Sequence, residues 1–380
     1  MKYRRWALAF LFIFIGAVGV FGVWAVRRAR FPLTKGAASR TPVRGVVHVH
    51  TRASHDGHGT LEDVSLAASR AGLSFVIVSE HNARELPAPR YLHGVLLIHG
   101  SELSTANGHL LALGLGKPIG EVALGQSPFE AVAQAGGKAV LAHPLQRKNP
   151  WRDWAHAKDA DGYEHYSGDS FFRNALREPG RLACALSTVW FDRTHAAMAL
   201  VQPLQEDEGQ RLLALPPTRD RFVLCAQDAH GLPPYEWVFP LMSMHLKVPS
   251  LPQEPEAAQR RVFHELFQRR ALCVFDALGD PTGFALEGLS PEGTVALGQE
   301  IKVHLPETGG AQVRVRPSAG GRLLEDGRTV VAEQEGLLSI EVQMRVPLCG
   351  LWDEWKPWIL PNPVKVQRIV DSARETSIAN

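Results

Sequence analysis

The hydrophobic pattern of the N-terminus is one uninterrupted apolar run, from Trp6 to Val26, between two basic clusters. A helix of its 21 residues spans about 31 Å, which matches one hydrocarbon core. We therefore predict a single-pass membrane anchor over residues 1–30 and a linker over residues 31–43. A cleaved signal peptide is the alternative, but the run is long for one and no small-residue cleavage site follows it.

From residue 44 to residue 278, short apolar runs alternate with amphipathic segments, which is typical of parallel strands joined by crossover helices. One helix is expected after the N-cap Thr60, with Asp63 at its third position and its end at Gly72. Two more helices are expected, one after Ser127 and one over residues 256–270. The clearest predicted strands are Gly45–His50, Leu73–Ser79, Val95–Ile98, Leu110–Leu115, Lys138–Ala142 and Arg221–Ala226.

Beyond residue 278 the pattern becomes short alternating stretches separated by Gly-Gly and Asp-Gly turns. Such a pattern is typical of a small antiparallel β-sandwich. The expected architecture is thus an α/β domain over residues 44–278 and a β-rich domain over residues 279–380, behind the membrane helix.

Charge and cysteine content narrow the function only slightly. The 41 basic and 39 acidic residues give a net charge of +2, which disfavours nucleic acid as a partner. Cys225 and Cys273 lie in apolar runs and are interpreted as small buried hydrophobes. With Cys184 and Cys349 they are widely spaced, show no CxxC motif and fix no redox compartment. Both flanks of the anchor are basic, so the positive-inside rule barely discriminates between its two orientations in the membrane. An extracytoplasmic catalytic domain is the expectation.

Imidazole and carboxylate groups cluster where the predicted strands end. Nine of the 16 histidines fall between residues 48 and 143. The carboxyl ends of parallel strands meet at one edge of an α/β domain, so these side chains should converge there. Nitrogen and oxygen ligands of this kind suit zinc, manganese or iron. The groups at or just after strand ends are His48, His50, His81, Glu102, His143, Asp228 and His230.

This series resembles the PHP (polymerase and histidinol phosphatase) family, whose domain is a distorted, TIM-like (β/α)7 barrel that holds two or three metal ions. The resemblance covers residues 44 to 276, and the stretches occur in the family's order. Ser79-Glu80-His81 departs from the family's more familiar Thr-Asp-His. The matching stretches are His48-Val49-His50, Ser54-His55-Asp56-Gly57, Ser79-Glu80-His81-Asn82, Gly100-Ser101-Glu102, Ala142-His143-Pro144 and Asp228-Ala229-His230-Gly231.

The resemblance implies two to three divalent metal ions (zinc, manganese or iron) and assigns their ligands. The first ion would be held by His48, His50, Glu102 and Asp228. A second would share Glu102 and be completed by His143 and His109, and a third would be held by Asp56, His81 and His230. Glu164, which also follows a predicted strand, is either a ligand, an acceptor behind the ligands or a plain strand-end acid.

Such a site implies hydrolysis. Two divalent ions lower the pKa of a bridging water, and the resulting hydroxide attacks phosphorus or a carbonyl carbon. His81 or His230 would protonate the leaving group, and Asp228 completes the predicted catalytic set. Tyr163, Arg147 and Lys148 are candidate contacts for an anionic substrate, and a solvated loop explains the two basic residues equally well.

Three functions stay open from the sequence. A membrane-anchored phosphoesterase acting on a small-molecule ester is the leading one. Glu102-Leu103-Ser104-Thr105 with Asn107-Gly108-His109, and the tail Trp355–Val364, are similar to the CehA/McbA-like metallohydrolases, which favours a carboxylic or carbamic ester or amide instead. A non-catalytic module that binds an envelope polymer is the third.

Overall fold

The computed structural model describes residues 2–28, 43–122, 126–214 and 221–368, so the predicted linker lies, except for residue 43, outside the described residues. The protein is mixed α/β, with a 13-stranded main sheet and two small sheets. Its α-helices are α1 (Lys2–Arg28), α2 (Leu61–Arg70), α3 (Pro128–Gln134), α4 (Gly168–Ala175), α5 (Pro179–Thr188), α6 (Arg193–Leu200), α7 (Glu206–Leu213), α8 (Tyr235–Val238) and α9 (Pro255–Phe267).

The three helices expected in the α/β region are present as α2, α3 and α9. Helix α2 begins where the sequence predicts, because the Thr60 hydroxyl accepts from the Asp63 N–H while the Asp63 carboxylate accepts from the Thr60 N–H. Helix α3 has Ser127 as its N-cap and Pro128 in its first turn. These local signals therefore fix the helix starts.

The strands of the main sheet include all six expected in the α/β region, with ends shifted by a few residues. Strands β11 to β13, β15 to β17 and β20 form the two small sheets. The strands are β1 (Val43–Val49), β2 (Phe75–His81), β3 (Arg90–Leu92), β4 (Val95–Thr105), β5 (Gly108–Leu113), β6 (Lys138–Leu141), β7 (Gly162–Ser167), β8 (Phe222–Ala226), β9 (Ser243–Leu246), β10 (Ala271–Val274), β11 (Ala285–Glu287), β12 (Thr294–Ala296), β13 (Glu300–His304), β14 (Val313–Pro317), β15 (Gly321–Leu323), β16 (Thr329–Ala332), β17 (Gly336–Leu338), β18 (Ile340–Leu348), β19 (Trp352–Pro361) and β20 (Val364–Gln367).

Strand β5, which was expected to be parallel to its neighbours, is antiparallel to them. Strands β1, β2 and β4 are parallel neighbours, as are β6, β7 and β8, but β5 is antiparallel to both β4 and β6. The cause is the short Ala106-Asn107 connection, which can join only a hairpin, since a parallel crossover needs a dozen or more residues.

The two ends of the seven-strand series β1-β2-β4-β5-β6-β7-β8 are hydrogen-bonded to each other. Just after β8, the Gln227 N–H donates to the Val47 carbonyl at 2.9 Å, and the His50 N–H donates to the Ala229 carbonyl at 2.9 Å. The amino half of β1 instead pairs with β9. The carboxyl end of β1 is therefore enclosed between β2 and the segment after β8.

Most C-terminal strand pairs are antiparallel, as expected, but β12 and β20 pair in parallel, and three of the strands extend the main sheet. Strand β19 pairs with β10, β18 with β19, and β14 with β18. Trp358 of β19 is fully buried, and one apolar core continues from the α/β strands into these three. The domain boundary at residue 278 stays a prediction.

The structure corrects the interpretation of the cysteines as plain apolar residues. Cys184 is disulfide-bonded to Cys349, and Cys225 to Cys273. The first bond links α5 to the turn after β18, and the second links β8 to β10. The two bonds thus join cysteines that are 165 and 48 positions apart in the sequence. The spacing of the cysteines alone did not reveal this pairing.

Helix α1 is long and apolar enough to cross a membrane, and most of its apolar stretch is exposed, unlike the core helix of a soluble protein. Its last turns pack on the rest of the chain. Ala25 is fully buried, and Gly22 lies so close to α5 that a Cβ there would be 2.2 Å from the Ser187 carbonyl oxygen.

Candidate metal centre

Three side chains of the site sit on unusual backbone. His48, His143 and Asp228 have φ angles of +65°, +31° and +50°, in the left-handed region that non-glycine residues rarely adopt. His48 also falls where the register of β1 against β2 shifts by a bulge. Backbone strain of this kind concentrates at functional sites, where a bulge re-aims side chains.

The Glu102 carboxylate, at the site's centre, is 1% exposed. Its Oε2 atom lies 3.1 Å from His48 Nε2, 3.2 Å from His50 Nε2 and 3.2 Å from His81 Nδ1. Its Oε1 atom lies 3.1 Å from His143 Nε2. One buried carboxylate thus faces four imidazoles from three different segments, the ends of β1, β2 and β6.

His109 reaches the same carboxylate because β5 is antiparallel. The amino end of an antiparallel strand lies at the edge where its parallel neighbours have their carboxyl ends, so the first residues of β5 sit beside the last ones of β4. His109 Nδ1 is 2.7 Å from Glu102 Oε1, and His109 Nε2 is 3.0 Å from Asn149 Nδ2. The spacing between Glu102 and His109 predicted that His109 belongs to the site, whereas nothing in the sequence predicted the contact with Asn149.

Asp56 closes the outer side of the site. Its Oδ2 atom is 3.4 Å from His81 Nε2 and 3.3 Å from His230 Nε2. The loop that carries Asp56 is held by Glu80, which accepts from the Thr51 N–H and hydroxyl and from the Ser54 hydroxyl. Glu80, at which Ser79-Glu80-His81 departs from Thr-Asp-His, therefore has a structural role, because it positions this loop.

Asp228 completes the inner side, with its Oδ1 atom 3.4 Å from His48 Nε2 and 3.6 Å from His50 Nε2. Within the described residues, three overlapping groups have ligand atoms all within 4.8 Å of one another. These groups are His48–His50–Glu102–Asp228, His50–Asp56–His81–His230 and His81–Glu102–His109. All nine sequence-predicted ligands thus lie in or directly beside one cluster; their roles as ligands stay a prediction.

Cys184, His195 and Cys349 also have ligand atoms within 4.8 Å of one another, away from this cluster. The two sulfurs form a disulfide, however, and are therefore not metal ligands.

The donor set fits divalent cations. His48 Nε2, His50 Nε2, Glu102 Oε2 and His81 Nδ1 are buried, and none has an aligned hydrogen-bond partner among the described residues. Burying imidazoles and carboxylates without hydrogen bonds is costly unless a cation binds between them. Nitrogen and oxygen donors at this density suit zinc, manganese or iron.

Glu164 lies behind the cluster. Its Oε1 atom is 2.7 Å from His48 Nδ1, and its Oε2 atom accepts from the His143 N–H at 2.6 Å. Both oxygens are therefore occupied away from the cluster's centre. A carboxylate at Nδ1 fixes the orientation of the imidazole and leaves its Nε2 to face a metal, which favours the acceptor role for Glu164.

The electrostatics separate the imidazoles into two kinds. Burial alone would lower the pKa values of His50 and His143, but the neighbouring carboxylates raise both to about 9. Burial lowers the pKa of His81 to about 4, so its imidazole is neutral at pH 7. Despite burial, the surrounding imidazoles lower the pKa of Glu102 well below its usual value. A neutral His81 suits a metal ligand better than a proton donor.

Other sequence candidates fall outside the cluster or at its rim. Tyr163 is 1% exposed and buried, so it does not offer a surface to substrate. His55 and His58 are exposed, as are Arg147 and Lys148. Arg173, which the sequence did not single out, pairs with Asp169 near the site, and the charges of Asp228 and Asp56 contribute to its raised pKa.

Comparison with known proteins adds little to this geometry. No protein-family model and no curated protein matches the chain. A solved structure from Bifidobacterium adolescentis, described as a "putative metal-dependent phosphoesterase", is similar over 49% of this chain and 87% of its own. Its sequence identity is 16% and its TM-score is 0.30. A similarity of this size supports no functional conclusion.

Proposed function

We propose that this protein is a membrane-anchored, metal-dependent hydrolase of the PHP type that acts on phosphoesters. The observation that carries the proposal is the buried cluster around Glu102, in which ligand atoms from distant parts of the sequence face one another and several of the buried ones have no hydrogen-bond partner among the described residues. The hydrogen bonds from the segment after β8 to β1 support a distorted (β/α)7 barrel. The Glu102–His109 contact supports the CehA/McbA-like branch.

Bound divalent cations would lower the pKa of a coordinated water and polarise the ester. His48, His50, Glu102 and Asp228 would hold one ion, with the remaining ligands around them holding one or two more. Hydrolysis joins the hydroxyl of water to phosphorus, breaks one P–O bond and leaves an alkoxide that needs a proton.

His230 is the better placed proton donor of the two predicted. Its side chain is 16% exposed at the mouth, whereas that of His81 is 8% exposed and neutral at pH 7. The Asp56 carboxylate lies 3.3 Å from His230 Nε2 and orients its ring at the mouth of the site. Arg173, at the same rim, would bind a phosphate oxygen.

We also propose that the catalytic part lies outside the cytoplasm. Two disulfides suit an oxidising compartment. The packing of α1 against α5 supports a retained anchor over a cleaved signal peptide.

A second candidate is hydrolysis of carboxylic or carbamic esters or amides, favoured by a largely apolar cavity that begins at Asp228 and His230. The test is an assay of the full chain, loaded with zinc or manganese, against bis(p-nitrophenyl) phosphate, p-nitrophenyl phosphate and p-nitrophenyl acetate. We expect phosphoester turnover that chelator abolishes and metal restores, and that Asp228→Asn lowers on the order of 100-fold. Strong turnover of the acetate without phosphoester turnover would overturn the first choice.

The matched control is Glu265→Gln, which alters a buried glutamate of α9 outside the site and should leave turnover unchanged.

A further inference from the structure

A cavity of about 350 Å³ begins at the metal centre and extends between α4, α5, α6 and the loop after β8. Asp228 and His230 stand at one end, and most of the remaining wall is apolar. This volume lies within the range of roughly 300–1,000 Å³ that small-molecule sites occupy. The apolar wall includes Phe172, Leu186, Trp190, Leu200, Leu232 and Trp237.

Several of the large apolar side chains that line the cavity are exposed and form a rim at the protein surface. Trp190 is 84% exposed, Leu232 67% and Leu186 62%. Soluble proteins rarely cluster large apolar side chains at the surface unless something covers them. Tryptophan in particular is enriched where a protein meets the membrane–water interface. The rim therefore has the chemistry of a surface that touches lipid.

Helix α1 brings that rim to the bilayer. The last residues of α1 pack against α5, where Gly22 contacts Ser187 and Phe191 and where Ala25 is buried. The 16 apolar residues before this contact, Trp6–Phe21, span about 24 Å as a helix, which is most of one hydrocarbon core. The helix therefore leaves the membrane at α5, the helix that also lines the cavity.

We propose that the substrate is a membrane lipid whose acyl chain occupies this cavity while its ester lies at the metal centre. The inference rests on the proposed hydrolase function and names its substrate class. The apolar chain explains why most of the wall of a cavity beside a metal-binding cluster is apolar, and the rim lets the chain enter from the bilayer.

The test compares two phosphodiesters that differ only in chain length, methyl and dodecyl p-nitrophenyl phosphate. The full chain is placed in phosphatidylcholine nanodiscs. Ala197 lines the cavity on α6 and is only half-buried, so Ala197→Trp fills the cavity without displacing the core. Its control, Ala133→Trp, adds the same ring to an exposed position of α3.

We expect Ala197→Trp to lower kcat/KM for the dodecyl ester at least tenfold and to change that for the methyl ester less than twofold. Ala133→Trp should change neither. Trp190→Glu, at an exposed position that does not support the fold, should raise KM for the dodecyl ester alone. Equal effects of Ala197→Trp on both esters, or none on either, would overturn the inference.

A binding measurement separates this inference from the proposed function. Dodecylphosphonate, which cannot be hydrolysed, is titrated calorimetrically into the same nanodiscs. It should bind the unmodified chain and Ala133→Trp at least tenfold more tightly than Ala197→Trp. If neither ester is cleaved, the proposed hydrolase function is wrong, and the difference in dodecylphosphonate binding alone decides whether the cavity binds the alkyl chain. Equal binding of dodecylphosphonate to all three proteins would refute the inference.

Discussion

Replacing Glu164 by glutamine tests whether a residue behind the cluster controls metal affinity. Glu164 is 1% exposed, its Oε1 atom is 2.7 Å from His48 Nδ1, and its charge is the largest influence that raises the pKa of His48. The substitution turns a charge-assisted hydrogen bond, worth roughly 1.5–3 kcal/mol, into a neutral one worth roughly 0.5–1.5 kcal/mol. The loss of about 1.4 kcal/mol corresponds to a tenfold change in an equilibrium constant.

We therefore expect Glu164→Gln to weaken metal binding by about 10- to 100-fold, the range typical of carboxylates that orient a ligand histidine. The assay is competition with a chelator of known affinity, performed on metal-stripped full-length protein. Glu265→Gln, another buried glutamate, is the control and should change metal affinity less than twofold. Unchanged affinity in Glu164→Gln would refute the assigned role.

Three further predictions concern stability, measured by denaturant unfolding of the full chain. Changing Cys184 and Cys349 to serine removes a bond between residues 165 positions apart, so stability should fall by about 5 kcal/mol on the loop-entropy model; an unchanged midpoint would contradict the pairing. Burial lowers the pKa of Lys356 from 10.5 to about 8. The unfolded chain therefore binds more protons between these values, and stability should rise by about 3 kcal/mol from pH 8 to pH 10.5, a slope that Lys356→Met should remove. Asp276→Asn, which removes the carboxylate that pairs with Arg44 at 2.6 Å and lies 2.8 Å from His245 Nε2, should cost about 3–5 kcal/mol, and a loss below 1 kcal/mol would count against this ion pair.

Local sequence signals predicted the elements that they alone determine. The capping box at Thr60 fixed the start of α2, and continuous apolar runs located β1, β2 and β4. The convergence of the site followed as well, because strand-end positions meet at one edge in an α/β domain.

Features that depend on contacts distant in sequence were not predictable. The direction of β5 depends on a tight turn that the apolar pattern does not show, and the partner of Cys184 lies 165 residues away. Glu164 looked like any strand-end acid, because only the fold places it behind His48. The apolar cavity is formed by α4, α5 and α6, three short helices that the sequence pattern did not resolve individually.

Metal content of the full chain tests the central claim most directly. Stripped protein is incubated with zinc, manganese or iron, separated from free ions and analysed by inductively coupled plasma mass spectrometry. The geometry around Glu102 predicts two to three divalent ions per chain, falling to at most one in Glu102→Gln, because this carboxylate belongs to two of the three ligand groups. Fewer than one bound ion per unmodified chain with all three metals would contradict the metal centre and favour a non-catalytic binding role.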